Sequence, residues 1–303
     1  MKFLALLLAL FFCIDTPVFA KAKGSAPLRA NEIWLKKELE KIGFSKSFIS
    51  EAMETYEAES FDKTLTLNLL GFLRPAGQHM NLVTDQAVSE ATKYIKGNKR
   101  AFTYAQKKYG VPPEVIASLI WIETRHGQDV GSFHTLSVYL HLLQADLNKN
   151  KTALTRLALV KNKEEQAYTP SELRKLMTER TRNKAKWARE QLIALASARK
   201  QKHFDIKTLR GSYAGAFGLP QFIPSSYLAY AKAKKPKAVP NLMKSSDAIL
   251  SVAYYLSKHG WRNNKFSAKI AALMKYNNSR DYADSILAIA KRVTPNRKLS
   301  SVD

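Results

Sequence analysis

The segment from Gly110 to Gly127 carries Glu123, the residue whose position best suits acid catalysis. An apolar helix is predicted from Val115 to Ile122, ending in the carboxylate of Glu123, and Gly127 is expected to terminate it. Leu119 and Ile120 lie four and three residues before Glu123, so they share its face of the helix. An apolar wall disfavours the ionised carboxylate and raises its pKa, which is what a general acid working near neutral pH requires.

A purely structural role for Glu123 would explain the same segment. A glutamate at a helix end pairs readily with a neighbouring cation, and Arg125 and His126 follow it closely. Taken alone, the segment favours this pairing over a catalytic acid. The choice between the two roles therefore depends on other parts of the chain.

A second segment, Gly211 to Tyr227, contains three glycines and two prolines, which predict a sharply turned loop. Its hydroxyl and amide groups are of the kind that hydrogen-bond sugar hydroxyl and acetamido groups. They belong to Ser212, Gln221, Ser225, Ser226 and Tyr227. The alternative is a structural turn whose polar groups are satisfied within the protein.

A third segment, residues 274–282, contains Tyr276 and Asn277 close to the C-terminal end of the chain. On its own it predicts only a junction between two helices.

Together the three segments resemble the lytic murein transglycosylase B family, whose fold is related to that of goose-type lysozyme. Glu123-Thr124-Arg125 matches the family motif that contains the catalytic acid, and Gly211–Tyr227 matches its glycine-rich motif. The resemblance extends from about residue 30 to about residue 293. It implies that Glu123 is the catalytic residue and that several other matching residues bind the substrate. Those residues are Ser212, Gln221, Tyr255 (which precedes His259-Gly260-Trp261), Tyr276 and Asn277.

Most glycoside hydrolases use two carboxylates, and the sequence offers no convincing second one near these segments. Asp129 is expected to belong to the turn after Gly127, and Asp281 to cap the last helix. A single carboxylate suits chemistry in which the acetamido group of the sugar assists. The resemblance implies this route, in which Glu123 protonates the glycosidic oxygen and then removes a proton from the muramyl 6-hydroxyl.

The reaction implied by the resemblance is that of a peptidoglycan lytic transglycosylase, a carbon–oxygen lyase. It cleaves the β-1,4 bond between N-acetylmuramic acid (MurNAc) and N-acetylglucosamine (GlcNAc) and leaves 1,6-anhydro-MurNAc ends. Two alternatives stay open at this point. One is a hydrolytic muramidase of the same fold, and the other is a non-catalytic protein that binds cell wall or another polyanion.

Three features depart from the family pattern. His126 stands where an aromatic residue usually follows the arginine, so we expect an altered sugar-stacking contact. The stretch Lys232–Val239 is rich in lysine where some relatives carry an acidic calcium loop. Because lysine cannot ligate calcium, we expect no metal site and no cofactor. Residues 146–186 are longer than the usual connection and predict either a mobile insertion or an exposed helical hairpin.

The formal net charge of +24 indicates a partner that is a polyanion. We expect this partner to be the anionic cell-wall surface, together with the peptidoglycan glycan strands, and we expect no nucleic acid. The only cysteine, Cys13, lies close to the N-terminus, so disulfide bonds and thiol catalysis are not expected after it.

The N-terminal residues predict a secretory signal with cleavage after Ala20. Lys2 is followed by about a dozen apolar residues, a run too short to span a bilayer, which takes about 20 residues. A lipid anchor on Cys13 is an alternative, although Phe12 stands where lipoprotein signals carry a small residue. The mature chain is therefore expected to lack a transmembrane segment and to be periplasmic or secreted.

The rest of the chain predicts helices separated by short turns, so the expected fold class is mostly α, with a lysozyme-like catalytic domain and additional N-terminal helices. Thr84 and Thr169 are predicted N-caps, and Thr169 with Glu172 forms a capping-box pattern. The predicted organisation is a signal peptide (1–20), an N-terminal helical region (21–100), a catalytic domain (101–293) with an insertion near 146–186, and a tail (294–303).

Overall fold

The computed structural model describes residues 26–73, 79–165, 167–235 and 237–293. The predicted signal peptide and C-terminal tail lie outside these residues. Within the described part, thirteen α-helices and one short two-stranded sheet confirm the predicted mostly-α class. The helices are α1 (Ala26–Ile42), α2 (Lys46–Glu54), α3 (Phe61–Leu69), α4 (Asp85–Gly97), α5 (Lys99–Tyr109), α6 (Pro113–Thr124), α7 (Thr135–Leu143), α8 (Asn148–Glu165), α9 (Pro170–Lys200), α10 (Pro224–Tyr230), α11 (Ser245–Lys258), α12 (Phe266–Tyr276) and α13 (Arg280–Val293), and the strands are β1 (Phe133–His134) and β2 (Arg210–Gly211).

The predicted helix starts are confirmed by their caps. The Thr84 side chain accepts a hydrogen bond from the backbone N–H of Ala87 at 3.1 Å, which satisfies one of the open donors of α4. Thr169 and Glu172 form the reciprocal capping box at the start of α9. Pro113 occupies the first turn of α6, where its missing N–H costs nothing.

The apolar side chains form two hydrophobic cores, each built around one buried helix. Helix α6 lies in the first core, where it packs against α4, α5, α11 and α13. Helix α7 lies in the second, where it packs against α2, α3 and α9. Helix α4 precedes the predicted domain boundary near residue 100 and packs on α6, which follows it. The boundary itself stays a prediction.

The sheet connects the two cores. Strand β1 lies between α6 and α7 and pairs antiparallel with β2, with Phe133 opposite Gly211 and His134 opposite Arg210. The glycine-rich segment continues directly from β2. This arrangement brings the segment to the junction of the two central helices.

Residues 146–186 form most of a helical hairpin, α8 and α9, which pack on each other. Of the two alternatives for this stretch, the structure therefore has the hairpin. It is less exposed than expected, because the inner face of α9 packs on α3, α7 and α10. No helix in the described part of the chain is long and apolar enough to cross a membrane.

Candidate active site

Glu123 lies in the last turn of α6, where every side chain from Val115 to Thr124 is buried. Only 3% of Glu123 is exposed. The helix ends at Thr124, three residues before the predicted end at Gly127. Arg125 and His126 follow with positive φ angles of 48° and 57°, a left-handed conformation that non-glycine residues seldom adopt.

The side chain of Thr124 explains this early end of the helix. Its hydroxyl donates to the backbone carbonyl of Leu219 at 2.9 Å and accepts from the N–H of Gly127 at 3.1 Å. The first bond joins the end of α6 to the glycine-rich segment, and the second closes a tight turn directly after Glu123. The carboxyl group is therefore fixed where the helix meets the turned loop.

The Glu123 carboxyl has one hydrogen-bond partner among the described residues. The hydroxyl of Tyr282, from the first turn of α13, donates to Oε1 at 2.5 Å. The other oxygen, Oε2, is buried and has no partner within the described chain. Since the phenol occupies Oε1 as a donor, the proton of the neutral carboxylic acid belongs on Oε2.

Burial raises the pKa of Glu123 to about 8, and the hydrogen bond from Tyr282 limits that increase. Burial also raises the pKa of Tyr282 well above its ordinary value, and the nearby Glu123 adds to the effect. At neutral pH the pair is therefore a carboxylic acid beside an intact phenol. This confirms the expected effect of the apolar wall on the acidity of Glu123.

The alternative pairing of Glu123 with Arg125 or His126 does not form. Arg125 is exposed. The Nε2–H of His126 donates to the carbonyl of Ala117 at 2.9 Å, and its ring stacks on Tyr94 with centroids 4.0 Å apart. Burial lowers the pKa of His126 to about 4, so it is neutral and packed against protein. The expected change in a sugar-stacking contact stays a prediction.

Neither of the two aspartates considered as a second carboxylate forms a hydrogen bond with Glu123. Oδ1 of Asp129 accepts from the N–H of Gly131 at 3.3 Å, which confirms its place in the turn. Oδ2 of Asp281 accepts both the backbone N–H of His79, at 2.5 Å, and a bond from its Nδ1 at 3.0 Å. Asp281 therefore clamps residue 79 onto α13 and does not cap that helix as expected.

The glycine-rich segment forms the predicted turned loop up to Ile223, after which α10 begins. Ser212 Oγ accepts from the N–H of Ala216 at 3.3 Å. A Cβ atom on Gly211 would lie 2.0 Å from the carbonyl oxygen of Ala216, so only glycine fits there. Gln221 donates through Nε2 to the carbonyls of Val130 and Gly218, at 3.2 and 2.9 Å. Its Oε1 is therefore the atom that can meet a ligand.

The remaining predicted binding residues lie together. The rings of Tyr255 and Tyr276 are 4.8 Å apart, and the Tyr276 hydroxyl donates to the carbonyl of Pro220 in the loop. The Tyr255 hydroxyl donates to the carbonyl of Lys275 at 2.7 Å. Asn277 is buried at the C-terminal end of α12. Tyr276 also lies close enough to Glu123 for the carboxylate to raise its pKa further. The substrate-binding roles of these residues stay predictions.

Two residues of this site carried no role in the sequence analysis, namely Tyr282 and His79. Tyr282 ends the third segment, six residues after Tyr276, and an aromatic residue on a helix is usually core. His79 lies outside all three segments, and its ring meets that of Tyr282 edge to face at 5.6 Å.

The described residues contain no group of three or more histidine, cysteine, aspartate or glutamate side chains that could hold a metal ion. In the lysine-rich loop an internal carboxylate organises the backbone. Asp247 accepts from the N–H of Lys234 and of Asn241, both at 3.0 Å, and so ties the two ends of the loop together.

Comparisons with known proteins identify the family of this chain. The family model for the transglycosylase SLT domain matches residues 30–271. The membrane-bound lytic murein transglycosylase B of Escherichia coli (strain K12) is 28% identical over 240 residues, which cover 75% of this chain and 56% of that protein. The aligned part thus spans little more than half the length of that relative.

Two solved structures share the fold. The Escherichia coli lytic transglycosylase SLT35, in complex with calcium, has a TM-score of 0.64 and 20% identity, covering 87% of this chain and 92% of that one. SltB3 from Pseudomonas aeruginosa, in complex with NAG-anhNAM-pentapeptide, has a TM-score of 0.65 and 14% identity, covering 88% and 79%. With a family model that matches far more than half of its residues, this chain belongs to the transglycosylase SLT domain family.

Proposed function

We propose that this protein is a lytic murein transglycosylase that cleaves the β-1,4 bond between MurNAc and GlcNAc in peptidoglycan. The observation that carries the proposal is the single buried carboxyl of Glu123, whose Oε1 accepts from Tyr282 and whose Oε2 has no partner in the described chain. A pKa of about 8 keeps this group protonated at neutral pH, as an acid catalyst requires. Family membership supports the same chemistry.

The proposed reaction uses Glu123 twice. Oε2 gives its proton to the glycosidic oxygen as the bond to C1 of MurNAc breaks, and the GlcNAc 4-hydroxyl leaves. The carbonyl oxygen of the MurNAc acetamido group stabilises the positive charge at C1. The 6-hydroxyl of the same sugar then attacks C1, and its proton returns to the Glu123 carboxylate. The product is a 1,6-anhydro sugar, no water is consumed, and the enzyme ends in its starting protonation state.

Tyr282 has a defined part in this cycle. After the first proton transfer, Glu123 is a carboxylate in an apolar site, where an ionised group is costly. The O–H of Tyr282 remains as a donor to Oε1 and stabilises that charge without itself losing a proton. Binding and orientation of the substrate fall to Ser212, Gln221, Tyr255, Tyr276 and Asn277.

The basic surface is proposed to hold the protein on anionic wall. A cavity of about 320 Å³ is lined by Lys232, Lys235 and Lys237, and a second, of about 330 Å³, by Lys96, Lys99, Arg100 and Lys234. The two cavities draw on lysines of the same loop. Such clusters of cations attract carboxylate or phosphate groups of a wall polymer. Because the wall lies outside the cytoplasm, the proposed location is the periplasm or the exterior of the cell.

Mass spectrometry of purified wall sacculi digested by the protein tests the proposed reaction. Products with 1,6-anhydro-MurNAc ends support it, whereas MurNAc reducing ends would identify a hydrolytic muramidase. No soluble product, together with retained binding to sacculi, would identify a non-catalytic wall-binding protein. The variant Glu123→Gln serves as the matched control, because it keeps the shape of the side chain and removes its acid.

A further inference from the structure

Lys184 is a buried lysine on the inner face of the hairpin, in a stretch expected to be exposed. Only 5% of it is exposed, and its ammonium lies 4.3 Å from the ring centroid of Trp187. None of the ion pairs among the described residues includes it. Burying an amine without a counter-charge is costly. Burial, with a contribution from nearby Arg180, accordingly lowers the pKa of Lys184 to about 7.

The hydrogen-bond partner of Lys184 points towards the proposed substrate site. Lys184 Nζ donates to Oδ1 of Asn68, at 3.3 Å, and Asn68 belongs to α3. The other end of the same amide, Nδ2, donates to the carbonyls of Thr64 and Tyr213, at 2.9 and 2.8 Å. Since the amine donates to Oδ1, it fixes the orientation in which Nδ2 faces Tyr213. The amide thus joins the hairpin to the residue that directly follows Ser212.

A second path leads from Lys184 to the same loop. Trp187, which lies beneath the ammonium, packs edge to face on Tyr139 with ring centroids 5.5 Å apart. The hydroxyl of Tyr139 donates to the carbonyl of Gly215 at 2.9 Å. The two carbonyls held in this way, at Tyr213 and Gly215, lie on either side of Ala214 in one tight turn.

This turn sets the direction of the Ser212 side chain. The turn is closed by bonds from Ser212 N–H to the Ala216 carbonyl and from Gly215 N–H to the Ser212 carbonyl, both 2.8 Å long. The carbonyls of Tyr213 and Gly215 accept from outside the turn, from Asn68 of α3 and Tyr139 of α7. These two bonds hold the turn in place. A shift of Asn68 or Tyr139 would therefore move the hydroxyl proposed to bind the sugar.

We propose that Lys184 is a positioning residue of the substrate site, which acts through Asn68 and Trp187 to hold the loop 212–216. The hairpin α8–α9 then serves the catalytic site as a buttress of its sugar-binding loop. This inference rests on the proposed function for the sugar role of Ser212. The anchoring of the loop rests on the contacts alone.

Hydrogen–deuterium exchange of the full-length protein tests the anchoring. Lys184→Met keeps the length of the side chain but removes the donor, and we expect the amides of residues 212–216 to exchange about three- to tenfold faster, as for the loss of one hydrogen bond. Asn68→Asp should speed the same amides, because its carboxylate accepts from Lys184 but cannot donate to Tyr213. Lys186→Met, at an exposed lysine of the same helix, should leave them unchanged.

Kinetics with a soluble wall glycan test the positioning. Weaker ground-state binding raises KM and leaves kcat nearly constant, so we expect KM to rise severalfold in Lys184→Met and Asn68→Asp and to stay unchanged in Lys186→Met. A merely structural role would lower kcat through loss of folded enzyme and would leave KM unchanged.

The inference is overturned if residues 212–216 exchange at the wild-type rate in both variants, or if exchange rises equally throughout α8 and α9. A kcat loss at constant KM would also overturn it. If the wild-type protein releases no wall fragment, the proposed function fails, and the exchange experiment alone decides whether Lys184 anchors the loop.

Discussion

The hydroxyl of Tyr282 donates a 2.5 Å hydrogen bond to Oε1 of Glu123, and both side chains are buried. The two residues come from the end of α6 and the start of α13, helices that pack on each other in the first core. The bond stabilises the carboxylate form of Glu123, while burial stabilises the neutral acid. Their balance sets the pH at which the acid is available.

Tyr282→Phe removes the donor and keeps the ring. The carboxylate formed after proton donation loses a charge-assisted hydrogen bond, so we expect kcat to fall about 10- to 100-fold. The same loss raises the pKa of Glu123 further, so the alkaline limb of the pH–activity profile should move to higher pH. Initial rates of muropeptide release between pH 5 and pH 10 measure both effects. An alkaline limb that moves to lower pH would contradict the assigned role of Tyr282.

Glu123→Gln is expected to fold normally and to lose cleavage by about 10²- to 10⁴-fold, the contribution of a positioned general acid. The amide keeps the shape of the side chain but cannot donate a proton and then accept one. Wild-type activity also requires the protonated acid, so it should decline as the pH rises through about 8. Cleavage by the variant at the wild-type rate would remove Glu123 from the mechanism.

The same substitution has a predictable effect on stability. Burial raises the folded-state pKa of Glu123 from 4.5 to about 8, so the unfolded chain loses this proton at lower pH than the folded protein. The stabilising contribution of Glu123 is therefore full below about pH 4.5 and is lost as the pH rises to about 8. Between pH 4.5 and pH 8, the free energy of unfolding of Glu123→Gln should rise by on the order of 4 kcal/mol relative to that of the wild type. Urea unfolding of both proteins at pH 4.5 and pH 8 measures this change. A difference in the free energy of unfolding that stays constant or shrinks between the two pH values would contradict the prediction.

Asp281→Asn should reduce cleavage by no more than about tenfold, equivalent to ~1.4 kcal/mol. Its amide oxygen can still accept from His79, which preserves the clamp beside Tyr282. Loss of a true second catalytic carboxylate would cost about 10²-fold or more. A loss of that size, with an unchanged melting temperature, would make this a two-carboxylate enzyme and favour the hydrolytic alternative.

Short-range patterns in the sequence predicted much of the fold and part of the site. The caps at Thr84 and Thr169 and the helix that carries Glu123 follow from neighbouring residues, and the structure confirms them. The prediction that Gly127 terminates α6 was wrong, because the end of the helix at Thr124 depends on a bond from Thr124 to Leu219, 95 residues away in the sequence. No local pattern encodes such a contact.

The roles of Tyr282 and Lys184 were missed for different physical reasons. The bond from Tyr282 to Glu123 spans 159 residues, so it depends on how α13 packs against α6. Lys184 was hidden by composition, because a lysine-rich stretch indicates a solvated surface. Its spacing offered a signal, since it continues the buried face that contains Met177, Thr181 and Ala188. The expectation of an exposed hairpin therefore placed this buried lysine on the surface.

Calcium removal is expected to leave both activity and melting temperature unchanged. The loop that follows α10 contains lysines, and its ends are held by the carboxylate of Asp247. Because its backbone is organised from within the protein, the loop does not need a bound cation. Thermal melts in chelator and in added calcium test this. A melting temperature that falls with chelator and recovers with calcium would contradict it.

Binding to the wall should depend on salt far more steeply than the chemistry does. Exposed lysines act through water, and salt screens them beyond about 8 Å at physiological ionic strength. Binding to intact sacculi should therefore weaken as salt rises. Cleavage of a short, soluble glycan whose carboxylates have been neutralised should change little, because its contacts would be hydrogen bonds close to Glu123.

Charge reversal of Lys232, Lys235 and Lys237, which line one basic cavity, should lower binding to sacculi and spare turnover of the short glycan. The matched control reverses Lys36 and Lys37, which are exposed on α1 and line neither basic cavity. If the cavity lysines hold the wall, their reversal reduces binding more per charge than reversal of the control pair.

Equal losses per charge would mean that the wall responds only to net charge. An equal fall in binding and in turnover of the short glycan would place the cavity lysines in the active site or the fold, and the proposed division between wall binding and catalysis would be wrong.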